Sequence, residues 1–313
     1  MTIPRVSVLI PTYRYARYLA EAVDSILVQD FADFELIISD DCSGDGSREI
    51  MEAYAARDPR IRIHVHGANI GMVQNWNWCL AQARGEFVKY VFGDDRLARA
   101  DALGKMVAML DAHPEAALAA SARKVIDEKS SGVTTWAHLG APGVHGSVET
   151  ILRCLREDNI IGEPSAVMFR RSAATRGFSE RYEQLVDLEM WLHLLEQGPL
   201  VYTADSLCSF RRHPLQRTEE NKKTGVHNTE ALRLMLEYGW SPTLAGRDTR
   251  DIAFYRLYRS RKLVRNPSAA TARRQLIQRL GRPAYYARWL LRKLTNPFFA
   301  IAKSIRRKMK PAA

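Results

Sequence analysis

Two pairs of adjacent carboxylates, Asp40-Asp41 and Asp94-Asp95, each stand at the end of a short apolar run, FELIIS and FVKYVFG. Two anions side by side lower stability unless a cation or hydrogen-bond donors compensate, and a hard divalent metal carrying a diphosphate does so. The alternative is plainer: a solvated turn after a strand, or a pair that caps the next helix. The choice depends on where the chain puts the two runs.

The run from Phe87 to Arg96 is too short for a helix and has Gly85 before it and Gly93 within it, so it reads as a buried strand. Upstream, Arg5–Ile10 is a first strand leading to Pro11-Thr12-Tyr13, and Leu19, Ala22, Val23, Ile26 and Leu27 recur at helical spacing. Phe34–Ser39 is the second strand, and Ser47 or Asp45 can cap a helix over Arg48–Arg57. Ile61–His66 is the third, and an Asn69-Ile70-Gly71 turn opens a helix over Met72–Ala83. A helix over Asp101–His113 and a strand near Ala117–Val125 continue the series, whereas the polar residues 127–146 read as a loop or insertion. Strand and helix alternating in this way predict a doubly wound α/β sheet. In such a sheet ligands bind beyond the carboxyl ends of the strands, which places both aspartate pairs on one edge.

With 313 residues and 46% hydrophobic composition the chain can bury a full core. No stretch approaches the roughly 18 uncharged apolar residues that span a bilayer, and MTIPRVSVLIP lacks the features of a secretory signal. A cytoplasmic protein is expected. Cys42, Cys79, Cys154 and Cys208 are far apart without zinc-site spacing, so neither disulfide nor structural zinc is expected.

In their order and spacing these stretches resemble the family 2 glycosyltransferases, whose nucleotide-sugar-binding fold is GT-A. The resemblance is carried by VSVLIPTY, FELIISDDCSGDGS, NIGMVQNWNWCLAQARGEF and VFGDD, then by IGEPSAVMFRR, LVDLEMWLHLL and LCSFRRHP, roughly Arg5 to Arg217. It implies an α/β, GT-A architecture, Rossmann-like with a doubly wound mixed sheet, followed by a helical basic C-terminal extension. The glycosyltransferase domain would take residues 1–240, with a nucleotide-binding half about 1–125 and an acceptor half about 126–240, and residues 241–313 the extension. The implied activity is inverting, metal-dependent transfer of a sugar from a nucleotide-diphosphate donor, UDP-linked, to a glycan or lipid-linked acceptor in polysaccharide or cell-envelope assembly.

The resemblance also implies roles for single residues. Asp41, with Asp40 beside it, would accept from the N3–H of a uracil, and Pro11 and Tyr13 would line the base and ribose pocket. Asp94 would hold the ribose or metal-bound water, and Asp95 would ligate Mn²⁺ or Mg²⁺, which neutralises the diphosphate leaving group. Asp187 would be the general base that takes the acceptor hydroxyl's proton, or else no more than a helix N-cap. His213 would complete the metal shell or contact phosphate, with Arg211 and Arg212 on phosphate oxygens; the bland reading of this histidine is a bystander. Two departures stand out: Trp76-Asn77 occupies the place of an Arg-Asn pair, and Val186 precedes Asp187 where a Glu is usual. Asn69, Gly71, Gln74 and Asn75 can add polar contacts, or cap and pack. Trp191 is either an acceptor platform or a core aromatic beside Leu188, Leu192 and Leu195, and Glu189 reads as an ordinary exposed helix residue.

The basic charge is concentrated at the end of the chain. Residues 247–313 hold 19 Lys and Arg against 2 Asp and Glu, whereas residues 1–246 hold 27 against 33. A basic amphipathic stretch over 283–310, with Phe298, Phe299, Ile301 and Ile305 beside Lys303, Arg306, Arg307, Lys308 and Lys310, reads either as an anionic-membrane contact or as a solvated helical cap. Membrane contact would place the enzyme on the cytoplasmic face. Nucleic-acid binding is not expected, since residues 1–246 are net negative and carry no recognition motif. A nucleotidyltransferase would need a glycine-rich phosphate loop after the first strand, and PTYRYARY has no glycine.

Overall fold

A computed structural model describes residues 3–214, 216, 221, 225–263 and 266–281. The chain divides into two compact units, Met1–Glu230 and Ala231–Ala313. In the first, ten strands among the described residues form one mixed sheet: β1 (Val6–Thr12), β2 (Phe34–Asp40), β3 (Ile61–Val65), β4 (Phe87–Tyr90), β5 (Arg96–Leu97), β6 (Leu118–Ile126), β7 (Gly132–Trp136), β8 (Gly143–His145), β9 (Val167–Arg170) and β10 (Leu200–Arg211). Their order is β3-β2-β1-β4-β9-β6-β10-β5, with β7 added to β6 and β8 to β10.

Side chains alternate across a strand, so a sheet covered on both faces needs apolar residues at nearly every position. Val6, Val8 and Ile10 of β1 and Phe34, Leu36 and Ile38 of β2 pack in one core with α1 (Ala16–Leu27), α2 (Ser47–Ala55) and α4 (Ala102–Ala112). The opposite face carries α3 (Met72–Gln82) and α6 (Val186–Leu195), where Trp76, Tyr90, Phe169, Phe178 and Trp191 form a chain of ring contacts. Between them in sequence, α5 (Ser147–Glu157) packs on α6.

Strand direction gathers the site. β1, β2, β3 and β4 are parallel, and Thr12 lies opposite Asp40, so both aspartate pairs leave the sheet at one edge. β9 runs antiparallel to β4 and to β6, while β10 is parallel to β6. The start of β9 and the ends of β6 and β10 therefore arrive at that same edge, bringing Glu163 and His213 toward the aspartates. At the other edge Glu35, 3% exposed, accepts hydrogen bonds from Ser7 Oγ (2.6 Å), the Arg84 amide (2.8 Å) and Arg62 Nη2 (2.8 Å).

Residues 127–146 are not a plain loop. They supply β7 and β8, with β7 paired to Arg123–Ile126 of β6. The hairpin lies at the sheet surface, and Val133 is 64% exposed. It has no buried face to impose an apolar alternation, which is why its sequence reads as a loop. The LCSFRRHP stretch begins in the end of the long strand β10, which is irregular in register between Thr203 and Cys208.

Helix α7 (Val226–Tyr238) crosses the division between the units. The second unit continues with α8 (Arg250–Arg259) and α9 (Pro267–Leu280). Asn266 caps α9 by accepting from Ala269 N at 3.1 Å, with Pro267 in the first turn. The amphipathic stretch 283–310 lies outside the described residues. Among the described residues no helix is long and apolar enough to cross a membrane.

Candidate active site

Asp94 and Asp95 sit in the turn between β4 and β5, 5% and 1% exposed. Asp95 Oδ1 accepts from Arg211 N at 2.9 Å. Its Oδ2 is buried without a hydrogen bond of normal geometry among the described residues, although the Ser165 hydroxyl is close enough to favour its charged form. Burial, then the charge of Asp94, pushes the Asp95 carboxyl well above the usual range. His213 Nε2 lies 3.1 Å from Asp94 Oδ2, and the Tyr15 hydroxyl is close enough to Asp94 to feel its charge. Burial and the neighbouring carboxylates push the Tyr15 phenol up, so it stays a donor. Beneath the pair, Lys89 donates to the carbonyls of Ser165 and Val167; burial lowers it to about 8, against the attraction of Asp95.

The first aspartate pair divides its tasks. Asp40 accepts from the amide and hydroxyl of Ser43 and so closes the turn after β2. Asp41 accepts from Ile70 N (2.7 Å) and Gly71 N (3.0 Å), the residues that open α3. Each Asp41 oxygen keeps a second lone pair. Gly71 is at φ 93°, a region that favours glycine, and Asn69 Nδ2 donates to the Asp41 carbonyl (3.2 Å). Asn75 is buried, donates to Ser39 O (3.1 Å) and faces His66 at 3.3 Å, so it ties α3 to the sheet. Pro11 is buried at the end of β1; Tyr13 is 38% exposed, with the Arg14 guanidinium 5.0 Å above its ring. Trp76 is buried among aromatic rings, and Asn77 exchanges two hydrogen bonds with the backbone of Phe178, so this pair packs and ties.

Asp187 opens α6. Its Oδ1 accepts from Leu188 N (2.7 Å) and its Oδ2 from Asn159 Nδ2 (2.8 Å). Burial, then the charge of Glu163, pushes its carboxyl up to about 7 from an ordinary 3.8. Glu163 acts in the same sense on Asp95. It is held 2.5 Å from Arg123 Nε, an ion pair whose N–H is not aligned for a hydrogen bond. Carboxylates from the β4 turn, from the segment before β9 and from α6 therefore feel one another. Just ahead of α6, Glu230 of α7 accepts from the amides of Glu183 (2.6 Å), Gln184 (3.0 Å) and Leu185 (2.8 Å).

Other expected residues are placed differently. Arg211 is not available to phosphate: its guanidinium donates to Asp94 O (2.7 Å), Asp127 O (3.0 Å), Ser130 Oγ (2.9 Å) and Glu21 Oε2 (2.5 Å), over the Tyr18 ring. Arg212 is exposed at the same edge, its amide on Ile126 O. Glu189 is 2% exposed rather than solvated, paired with Arg176 at 2.8 Å. Trp191 is a core residue: it is fully buried and donates to Gly162 O at 2.8 Å. Sequence reasoning assigned no role to Tyr15, Glu163, Arg123 or Asn159. Only Glu163 had a signal, as the acid inside the IGEPSAVMFRR stretch.

Among the described residues no three His, Cys, Asp or Glu side chains converge as a ready-made metal cage. Asp94, Asp95 and His213 nonetheless fit a hard divalent cation. One buried Asp95 oxygen lacks a normal hydrogen bond and its charge is disfavoured by its surroundings, both of which a cation relieves.

With this geometry in place, the comparisons with known proteins agree. Residues 7–178 match the model of Glycosyl transferase family 2. EpsE of Bacillus subtilis (strain 168), named as a glycosyltransferase, is 32% identical over 205 residues, 62% of this chain and 68% of that protein. TuaG of the same organism, named for teichuronic acid biosynthesis, is 27% identical over 201 residues, 64% of this chain and 75% of that one. The crystal structure of Staphylococcus aureus TarS 1-349 in complex with UDP-GlcNAc is similar with a TM-score of 0.67 and 19% identity, over 90% of this chain and 82% of that one.

Proposed function

From the premise that this chain belongs to glycosyl transferase family 2 and is a glycosyltransferase with the GT-A fold, we propose that its cleft moves a sugar from a UDP-linked donor to an acceptor hydroxyl with inversion. The observation that carries this reading is Glu163, whose charge acts on both Asp95 and Asp187 and so ties the donor side of the cleft to the base side.

On the donor side, Asp41 is fixed by two backbone amides with lone pairs left over, which suits acceptance from a uracil N–H. Pro11 and Tyr13 would border the base and ribose, Gly71 and Asn75 would shape the wall behind them, and Arg212 would meet phosphate. Asp95, with Asp94 and His213 beside it, would hold Mn²⁺ or Mg²⁺, whose chemistry there is neutralising the diphosphate leaving group. A histidine in the set favours Mn²⁺.

On the other side, Asp187 near 7 is matched to its task. A general base works best when its pKa lies close to the working pH, because it must be ionised before the reaction and still take a proton during it. Asp187 would accept the proton of the attacking hydroxyl while that oxygen approaches the anomeric carbon opposite the diphosphate.

The acceptor is proposed to be a glycan or a lipid-linked saccharide of polysaccharide or cell-envelope assembly, in line with the name of TuaG. Residues 283–310 would attach a cytoplasmic enzyme to an anionic membrane surface where such acceptors reside. The test is a thermal-shift series with UDP, GDP and their sugars, with and without Mn²⁺. UDP with Mn²⁺ should raise the melting temperature most, and Asp95→Asn should abolish the metal-dependent part. No nucleotide-dependent shift in the wild type would end the proposal.

A further inference from the structure

Asp187 is aimed by a small closed network that the transfer reaction itself does not explain. Asn159 Oδ1 accepts from Gly162 N (3.0 Å), while its Nδ2 donates to Gly162 O (3.1 Å) and to Asp187 Oδ2 (2.8 Å). Gly162 O also receives Trp191 Nε1 (2.8 Å), on the same helix as Asp187 and four residues further on. Gly162 lies at φ 132°, and a Cβ there would meet Arg123 Nη1 at 3.1 Å and Ala166 Cβ at 3.0 Å, so its backbone is tightly confined.

The network fixes which way the Asn159 amide faces. Its oxygen must meet the Gly162 N–H, so its NH₂ has to face the Gly162 carbonyl and Asp187. We propose that Asn159 is the positioning residue for the general base: locked to the backbone of Gly162, its amide holds Oδ2 of Asp187 and fixes where that carboxylate points. This rests on the reading of Asp187 as the base.

A donor aimed at a carboxylate favours its charged form, and here it opposes burial and the charge of Glu163. Arg123 lies on Glu163, Arg176 holds Glu189 on α6, and His227 lies 3.3 Å from Asp158, the neighbour of Asn159. Asn159 is thus the side chain that joins the backbone amides of Leu188 and Asp187 in favouring the charged carboxylate. A turn residue with no such role would leave the ionisation of Asp187 where it is.

Two variants separate these roles. Asn159→Ala removes the amide, and Asn159→Asp keeps the acceptor for Gly162 N while putting an oxygen in place of the donor. The readout is a ¹³C carboxyl titration of the aspartate-labelled full chain, with the Asp187 signal identified by its loss in Asp187→Asn. The titration midpoint should rise by about one unit or more in both variants, as loss of a charge-assisted hydrogen bond predicts. In parallel, UDP release from a panel of UDP-sugars with Mn²⁺ should show kcat falling about tenfold below pH 7, with donor KM unchanged. An Asp187 midpoint unmoved in Asn159→Asp overturns the proposal, whatever the stability of Asn159→Ala. Wild-type turnover by Asp187→Asn would instead remove the base assignment itself, so the two failures are told apart.

Discussion

Replacing Asp187 by Asn should stabilise the protein more and more as the pH rises, while removing its activity. The folded protein holds a proton on Asp187 up to about pH 7, whereas the unfolded chain releases it near 3.8. Between those values the native state binds more protons, so stability falls as pH rises and levels off above pH 7. At about 1.4 kcal/mol per unit, the burden is about 1.5 kcal/mol at pH 5 and about 4 kcal/mol at pH 8, ceilings for a side chain that is partly solvent-accessible. Asn carries no such burden but loses the bond from Asn159, a loss that does not depend on pH. Urea midpoints for wild type and Asp187→Asn at pH 5, 6, 7 and 8 cancel that constant. The stability difference should shift toward the variant across the series, by up to about 2.5 kcal/mol. kcat should fall by about 10²- to 10⁴-fold at every pH. A stability difference that stays flat from pH 5 to 8 would refute the account of a half-buried, charge-frustrated base.

At the opposite edge, Glu35→Gln should cost about 2–3 kcal/mol at neutral pH without changing UDP affinity, because Arg62 and Arg84 lose their shared carboxylate but keep access to water. Burial alone would raise the Glu35 pKa, yet hydrogen bonds from Ser7 and Arg84 outweigh it and leave the carboxyl below its usual range. That contribution is therefore present above the usual carboxylate range and lost as pH falls through the lowered value, so the two proteins should converge in acid melts. Trp191→Phe should cost about 1–3 kcal/mol in thermal unfolding and leave acceptor KM alone, since the indole binds Gly162 rather than sugar. Arg211→Lys keeps the charge but not the fork; a loss of about 2–4 kcal/mol is expected, together with loss of the Mn²⁺-dependent shift given by UDP. Truncation after Gly246 should abolish sedimentation with anionic vesicles at low salt, and unchanged sedimentation would remove the membrane role for the basic stretch.

The strands β1 to β4 and both aspartate pairs were legible because their signals are local. A short apolar run, a glycine and a carboxylate lie within about ten residues of one another. Parallel pairing then forces the ends of those strands to one edge. What could not be read depends on contacts between distant segments. Asn159 reaches Asp187 from 28 residues away and Arg211 reaches Glu21 from 190, and neither pairing leaves a periodic trace. Glu189 was misjudged for the same reason: an acid on a helix reads as solvated until a distant arginine, Arg176, comes down over it. The Trp76-Asn77 departure becomes intelligible only in three dimensions, where the ring fills the aromatic layer between α3 and Phe178. A hairpin without an inner face, β7, carries no alternation to detect.

The carboxylate of Glu230 gathers three successive amides just before the helix that bears Asp187. The reactive end of that helix is thus anchored by a side chain more than forty positions downstream. A catalytic fragment trimmed between His213 and Glu230 would keep every proposed site residue yet lose the mooring of its base. Shortened versions of this enzyme should therefore retain α7 at least through Glu230.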